Sequence, residues 1–178
     1  MKKGFLGTVL LLSVFLLWCT KKIENPIIFD DYKITLETKY RYQEITPDTT
    51  NPISIVKQYI QQTETGFVGS LIIAKTKLQT GINIDSFWNI TRKSITRKIS
   101  WVDDISTDYF RFKCWEQEIN GFIQKTRIEE LDQKQYLNQA FFSNKETLFW
   151  ISTMTTDKKE SKNLAKSIKN IGCPSTQQ

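Results

Sequence analysis

The sequence predicts an α+β fold, an antiparallel β-sheet flanked by helices in an α/β/α layer sandwich, and three features lead to it. Segments that alternate polar and apolar residues at strand period dominate the chain, with turn residues between them that favour hairpins. Two stretches, 85–99 and 157–171, instead repeat apolar residues every three or four positions. The order is strands, helix, a run of strands, helix, which places the helices on the faces of one antiparallel sheet. The 178 residues suit one domain, and 39% hydrophobic with 12% aromatic residues supply a core.

Taken in order, residues 32–37 form the first strand, with Tyr32, Ile34 and Leu36 on one face. Residues 46–52 form a loop, because two prolines among Thr, Asp and Asn favour turns. Residues 53–60 fit both periods; their β-branched content and the turn at 63–66 favour strand. The continuous apolar run 67–74 belongs inside the sheet. A helix opens with Asp85 as cap, buries Ile84, Phe87, Trp88, Ile95 and Ile99, and ends in Arg92, Lys93, Arg97 and Lys98, which suit its dipole.

Residues 109–115 alternate strictly, and Asn120-Gly121 is the dipeptide that a two-residue type I′ loop demands, so a hairpin is expected there. Pairing across that loop puts Trp115, Ile119, Phe122 and Ile128 on one face but Phe110, Phe112 and Cys114 on the other, which requires a bulge near Glu116 or Gln117. Residues 136–142 and 148–152 form a second hairpin around 143–146. The closing helix, 157–171, turns Leu164, Ile168 and Ile171 inward, with Gly172 as its C-cap.

The N-terminus is organised differently. Lys2 and Lys3 precede an uncharged run, 4–20, rich in Leu, Val and Phe, which is the layout of a secretory signal. The run closes at Cys19, which resembles the lipid-bearing cysteine of bacterial lipoproteins. Trp18 stands where that family has a small residue, so an uncleaved signal anchor competes, and a cytoplasmic chain with a fortuitous apolar start is the third alternative. The expected organisation is signal peptide or membrane anchor over 1–20, tether over 21–30, one domain over 31–173 and a tail over 174–178. Loss of residues 1–18 removes two lysines and no acid, so the formal +6 falls to +4, a mild surplus that makes a nucleic-acid partner unexpected.

The chain has no histidine, which excludes a Ser-His-Asp triad, a Cys-His pair and imidazole metal ligands. With Cys19 assigned to the anchor, Cys114 and Cys173 are left over, and in an exported protein they are expected to form a disulfide. The acidic pairs Asp103-Asp104 and Glu129-Glu130, with Asp132, lack the glycine and ligand offsets of a calcium loop and read as solvated turn residues. Lysines 158, 159, 162, 166 and 169 read as the solvated face of the last helix, and tryptophans 88, 101, 115 and 150 as core. No cofactor or metal site is expected.

The strand 67–75, the helix opening at 84–88, the Asn-Gly hairpin, the strands 136–142 and 148–152 and the closing helix together resemble the PsbP-like family, over about residues 30–173. The resemblance implies a central antiparallel sheet between helices and a non-enzymatic binding or accessory role; no family functional residue maps onto this chain, and none is carried over. The expected function is a membrane-anchored, extracytoplasmic binding or accessory protein of the cell envelope, meeting an envelope protein partner. The alternative is an extracytoplasmic hydrolase that cuts envelope glycans with Asp and Glu side chains such as Asp103 and Glu129.

Overall fold

A computed structural model describes residues 22–47, 54–64, 66–78, 83–87, 89, 102–130 and 133–174. Alternation at strand period produces nine strands among them: β1 (Ile23–Phe29), β2 (Tyr32–Thr38), β3 (Gln43–Ile45), β4 (Ser54–Thr63), β5 (Gly66–Lys77), β6 (Val102–Cys114), β7 (Gln117–Glu130), β8 (Gln133–Asn144) and β9 (Thr147–Thr155). One long helix, α1 (Lys158–Lys169), follows. β1 and β2 form a separate hairpin, and the other seven make one sheet in the order β3-β4-β5-β9-β8-β7-β6. Every pairing is antiparallel.

This corrects the expected fold class: the described chain is mostly β and is not an α/β/α sandwich. The reason is one of span. Twelve helical residues cover about 18 Å, whereas seven strands are about 29 Å across, so α1 cannot close a face of the sheet alone. The β1–β2 hairpin covers the remainder. Ile27, Phe29, Tyr32, Ile34 and Leu36 from the hairpin and Leu164, Ala165 and Ile168 from α1 pack on Leu71, Ile73, Ala140, Phe142, Phe149 and Ile151 in one core. Residues 23–29, expected as part of a tether, are therefore a structural strand, with Ile27 and Phe29 buried. The opposite face of the sheet carries a smaller cluster, Phe122, Phe141 and Leu148, packed by Leu78, Ile84, Phe87 and Trp150.

Of the first expected helix, residues 84–87 and 89 are helical and the rest lies outside the described residues. Its cap is Asn83, whose side-chain oxygen accepts from the Ser86 N–H at 2.8 Å, and Asp85, two residues later, already lies inside the helix. At α1 the cap is Asp157, the first residue of the expected helix, which accepts from the N–H groups of Lys159 and Glu160. Gly172 does not cap it. Asn170 does, while Gly172 exchanges two backbone hydrogen bonds with Lys33, at 2.7 and 3.0 Å, and fastens the C-terminus to β2.

The Asn-Gly hairpin is also corrected. β6 turns at Trp115-Glu116, with Cys114 opposite Gln117, and Asn120-Gly121 lie inside β7. Moving the turn aligns Phe110, Phe112, Ile119 and Ile123 on one face, so the bulge expected near Glu116 is not needed; the register shift falls between Val102 and Asp104. Gly121 is required by packing. A Cβ there would lie 2.5 Å from Phe110 Cζ and 2.7 Å from the Phe141 carbonyl oxygen, and a backbone carbonyl in a sheet cannot move aside. Gly121→Ala is therefore expected to lower stability by about 2 kcal/mol. Gly172→Ala meets nothing within 4 Å and should stay within about 0.5 kcal/mol of the parent protein. Urea denaturation of the two variants checks both.

Candidate functional site: a groove between three hairpin turns

Antiparallel pairing sends the β1–β2, β6–β7 and β8–β9 turns to one end of the molecule. Each is a two-residue loop, Asp30-Asp31, Trp115-Glu116 and Lys145-Glu146. The first residue of each has positive φ, 45° at Asp30 and 53° at Trp115 and Lys145, and among the described residues no other non-glycine does. An L-residue in this region costs roughly 1 kcal/mol, which packing of the strands behind the turns offsets. The three turns surround a groove of about 890 Å³, walled also by Gln117, Asn144 and Phe149 and floored by Tyr32 and Cys114.

The rim carries four carboxylates, Asp30, Asp31, Glu116 and Glu146, against one amine, Lys145. Lys75 pairs with Asp30 at 2.8 Å and Lys77 with Glu146 at 3.2 Å. Trp115 is 62% exposed, so its expected place in the core is corrected: it stands in the turn after Cys114, and the alternation that buries Phe110, Phe112 and Cys114 leaves its position on the outward side with Arg111 and Lys113. Tyr32 is 1% exposed, and its hydroxyl forms no hydrogen bond of good geometry. Burial pushes that hydroxyl up; Asn144 opposes the shift, and Asp31 and Asp30 add to it.

Cys114 and Cys173 are joined in a disulfide, with 5.3 Å between their Cα atoms. The bond ties the base of the Trp115 turn to the residue after Gly172, so β2, β6 and the C-terminus meet beneath the groove. Cys19 lies outside the described residues. So do the side chains of Asp103 and Asp104, although the backbone sets Asp104 opposite Arg127 and so brings the two acidic stretches onto neighbouring strands. Glu129 is exposed, 3.9 Å from Lys134. Lysines 158, 159, 162 and 166 are exposed, whereas Lys169 joins Lys125 on the Asp108 carboxylate.

A second polar feature lies under the first turn of α1. Glu160 is 2% exposed; one carboxylate oxygen accepts from the Lys39 N–H at 3.1 Å and the other is unpaired. The Tyr42 hydroxyl and the Gln61 carbonyl are also buried without partners. Burial raises the Glu160 pKa, with donation from the Lys39 N–H opposing and Asp157 adding to the rise. Burial likewise holds the Tyr42 hydroxyl well above the usual phenol range. The Lys39 ammonium, 2.5 Å from Asp157, lowers that carboxyl instead, and Lys125 with Lys169 lowers Asp108. Sequence periodicity marks Glu160 only as a first-turn acid; no feature of the linear chain shows that the loop at Lys39 to Tyr42 closes over it.

No family model matches the chain, and no curated protein matches it. Among solved structures it is similar to PA94 of Pseudomonas aeruginosa, a protein of unknown function, at a TM-score of 0.51 and 8% identity, over 83% of this chain and 94% of that one. The solution structure of cyanobacterial PsbP (CyanoP) from Synechocystis sp. PCC 6803 aligns at a TM-score of 0.48 and 8% identity, over 87% of this chain and 94% of that one. At 8% identity the likeness to PA94 is one of fold alone, and no residue is transferred from either protein.

Two outcomes follow from the geometry. Replacing both cysteines, Cys114→Ala with Cys173→Ala, frees a loop spanning 59 positions, and on the chain-entropy argument costs about 4 kcal/mol; urea denaturation measures it. Glu160 acts with the opposite sign to an ordinary salt-bridged acid. Its raised pKa means that its favourable contribution is fully present below the unfolded carboxyl range and is lost as pH rises through the folded value. Glu160→Gln should therefore gain about 1 kcal/mol over the parent at neutral pH, and the difference should vanish near the unfolded carboxyl range, as read by thermal melts across pH. Asp108 and Asp157, whose pKa values are lowered, contribute stability above that range and lose it as pH falls.

Proposed function

We propose that the chain is an extracytoplasmic binding or accessory module of a cell envelope, held at the membrane by its N-terminal apolar segment, and that the groove between the three turns is its binding surface. The observation that carries this reading is the disulfide-braced groove. Disulfides persist in oxidising compartments outside the cytoplasm, and this one fixes the rim on which the exposed Trp115 stands. The anchor in this reading is the apolar run ending at Cys19; among the described residues no helix is long and apolar enough to cross a membrane. Either the cysteine carries lipid after cleavage before it, or the signal remains as an anchor. A groove with a mixed lining and a volume of this order is within the range of ligand-binding clefts.

Intact-mass measurement of the full-length gene product extracted from membranes tests the placement. The expected result is either a chain beginning at a lipid-modified Cys19 or the whole chain, in both cases two mass units lighter than its fully reduced form. Recovery from the cytosolic fraction with free thiols at Cys114 and Cys173 would overturn it. Binding is tested by a photo-crosslinker placed at Lys145 on the groove rim. A discrete adduct is expected there and none with the same crosslinker at Lys57, which lies on β4.

A further inference from the structure

We infer that the groove takes a positively charged, extended segment of a partner protein, with a lysine or arginine side chain laid over the Trp115 ring between the carboxylates of Asp31 and Glu116. This rests on the groove being the binding surface, as proposed above, and adds the chemistry of the occupant.

Charge is the first argument. The chain as a whole is basic, with a formal +6, yet the groove rim is acidic, with four carboxylates to one amine. Lys75 and Lys77 occupy Asp30 and Glu146, whereas Asp31 and Glu116 have no ion pair among the described residues. Those two acids sit on neighbouring turns, one from β1–β2 and one from β6–β7, and so face the groove from two sides. An acidic concavity on a basic protein repels nucleic acid and anionic lipid and attracts cations locally.

The aromatic surface is the second argument. Trp115 carries an indole on a turn whose φ of 53° favours glycine or asparagine, and the residue is 62% exposed beside Glu116. A cation over an indole face gains about 0.5–2 kcal/mol, and guanidinium and ammonium are the side chains that supply it.

The third argument separates a peptide from a bare cation. Tyr32 lies at the groove floor, almost fully buried, with its hydroxyl unsatisfied. A buried donor without an acceptor costs about 1–3 kcal/mol, and a peptide carbonyl entering the groove would accept from it. A metal ion offers no acceptor, and among the described residues no three ligating side chains gather to hold one. The occupant therefore brings both a positive side chain and a backbone carbonyl, as an extended basic segment does.

The test uses the full chain in detergent micelles and a fluorescent decapeptide of alternating Lys and Ser, with the matching Glu-Ser peptide as control, followed by anisotropy at low and physiological salt. The expected result is saturable binding of the Lys-Ser peptide alone. The Asp31→Asn/Glu116→Gln pair should weaken it about tenfold, the equivalent of about 1.4 kcal/mol. Trp115→Gly, which removes the ring and suits the left-handed backbone, should weaken it several-fold, and Tyr32→Phe, which keeps the buried ring, should do so too. Absence of saturable binding, equal binding of the Glu-Ser peptide, or affinity unchanged in both the Asp31/Glu116 pair and Trp115→Gly would overturn the inference. A crosslinked adduct at Lys145 that persists undiminished in the Asp31/Glu116 pair would also overturn it while leaving the groove as the binding surface. Specific peptide binding with no adduct at Lys145 in the envelope would instead support this chemistry and remove the proposed placement.

Discussion

The Tyr32 ring holds the two layers of this protein together. It lies edge-on to Phe149 at 5.0 Å and Phe142 at 5.1 Å, reaches Phe112 at 6.0 Å, and meets Phe29 of its own hairpin at 5.7 Å. One side chain from β2 thereby touches β6, β8 and β9, the strands whose turns build the groove. Aromatic pairs of this kind add about 0.5–1.5 kcal/mol each beyond area burial, so the cluster outweighs the cost of the three left-handed turn residues above it. Its position also decides where the Asp30-Asp31 turn falls, and with it one wall of the groove.

Away from Tyr32 the same face of the sheet becomes polar, and this sets how α1 can lie. The Asn138 amide donates to the Ser161 carbonyl at 3.0 Å and to the Thr153 hydroxyl at 3.2 Å, joining β8 and β9 to the helix. Leu164 and Ile168 then fall on apolar strand residues and Glu160 falls beneath the Lys39 backbone. A shift of α1 by one turn would bury Glu160 or Asn138 against hydrocarbon, which costs several kcal/mol for a charged group. The polar end therefore fixes register, while the aromatic end supplies most of the burial.

The groove was legible in the sequence only through its cysteines. The pair left over beside Cys19, together with the export signal, indicated a staple, and the staple lies beneath the rim. The remaining features were hidden for identifiable reasons. Trp115 and Lys145 are not the residues that tight turns prefer, and the strands behind them force those conformations, whereas the preferred dipeptide, Asn120-Gly121, is used where a bulky neighbour excludes any Cβ. Trp115 looked like a core residue because pairing across Asn120-Gly121 would set it on one face with Ile119 and Phe122, and it is exposed because the chain turns at Trp115-Glu116 instead.

What the sequence determined by itself is the local periodic structure. The strands β2, β4 and β5, the 109–114 part of β6, the β8–β9 hairpin and the closing helix follow from hydrophobic period and turn chemistry, which act over a few residues. Only the tertiary structure decided that residues 23–29 are a strand, that helix and hairpin share one face in place of an α/β/α sandwich, and that three ordinary turns converge on an acidic, tryptophan-rimmed groove. Those outcomes depend on the width of a sheet against the length of a helix, and on which distant side chains occupy the space beside a glycine. No residue carries that information alone, because it belongs to the packing.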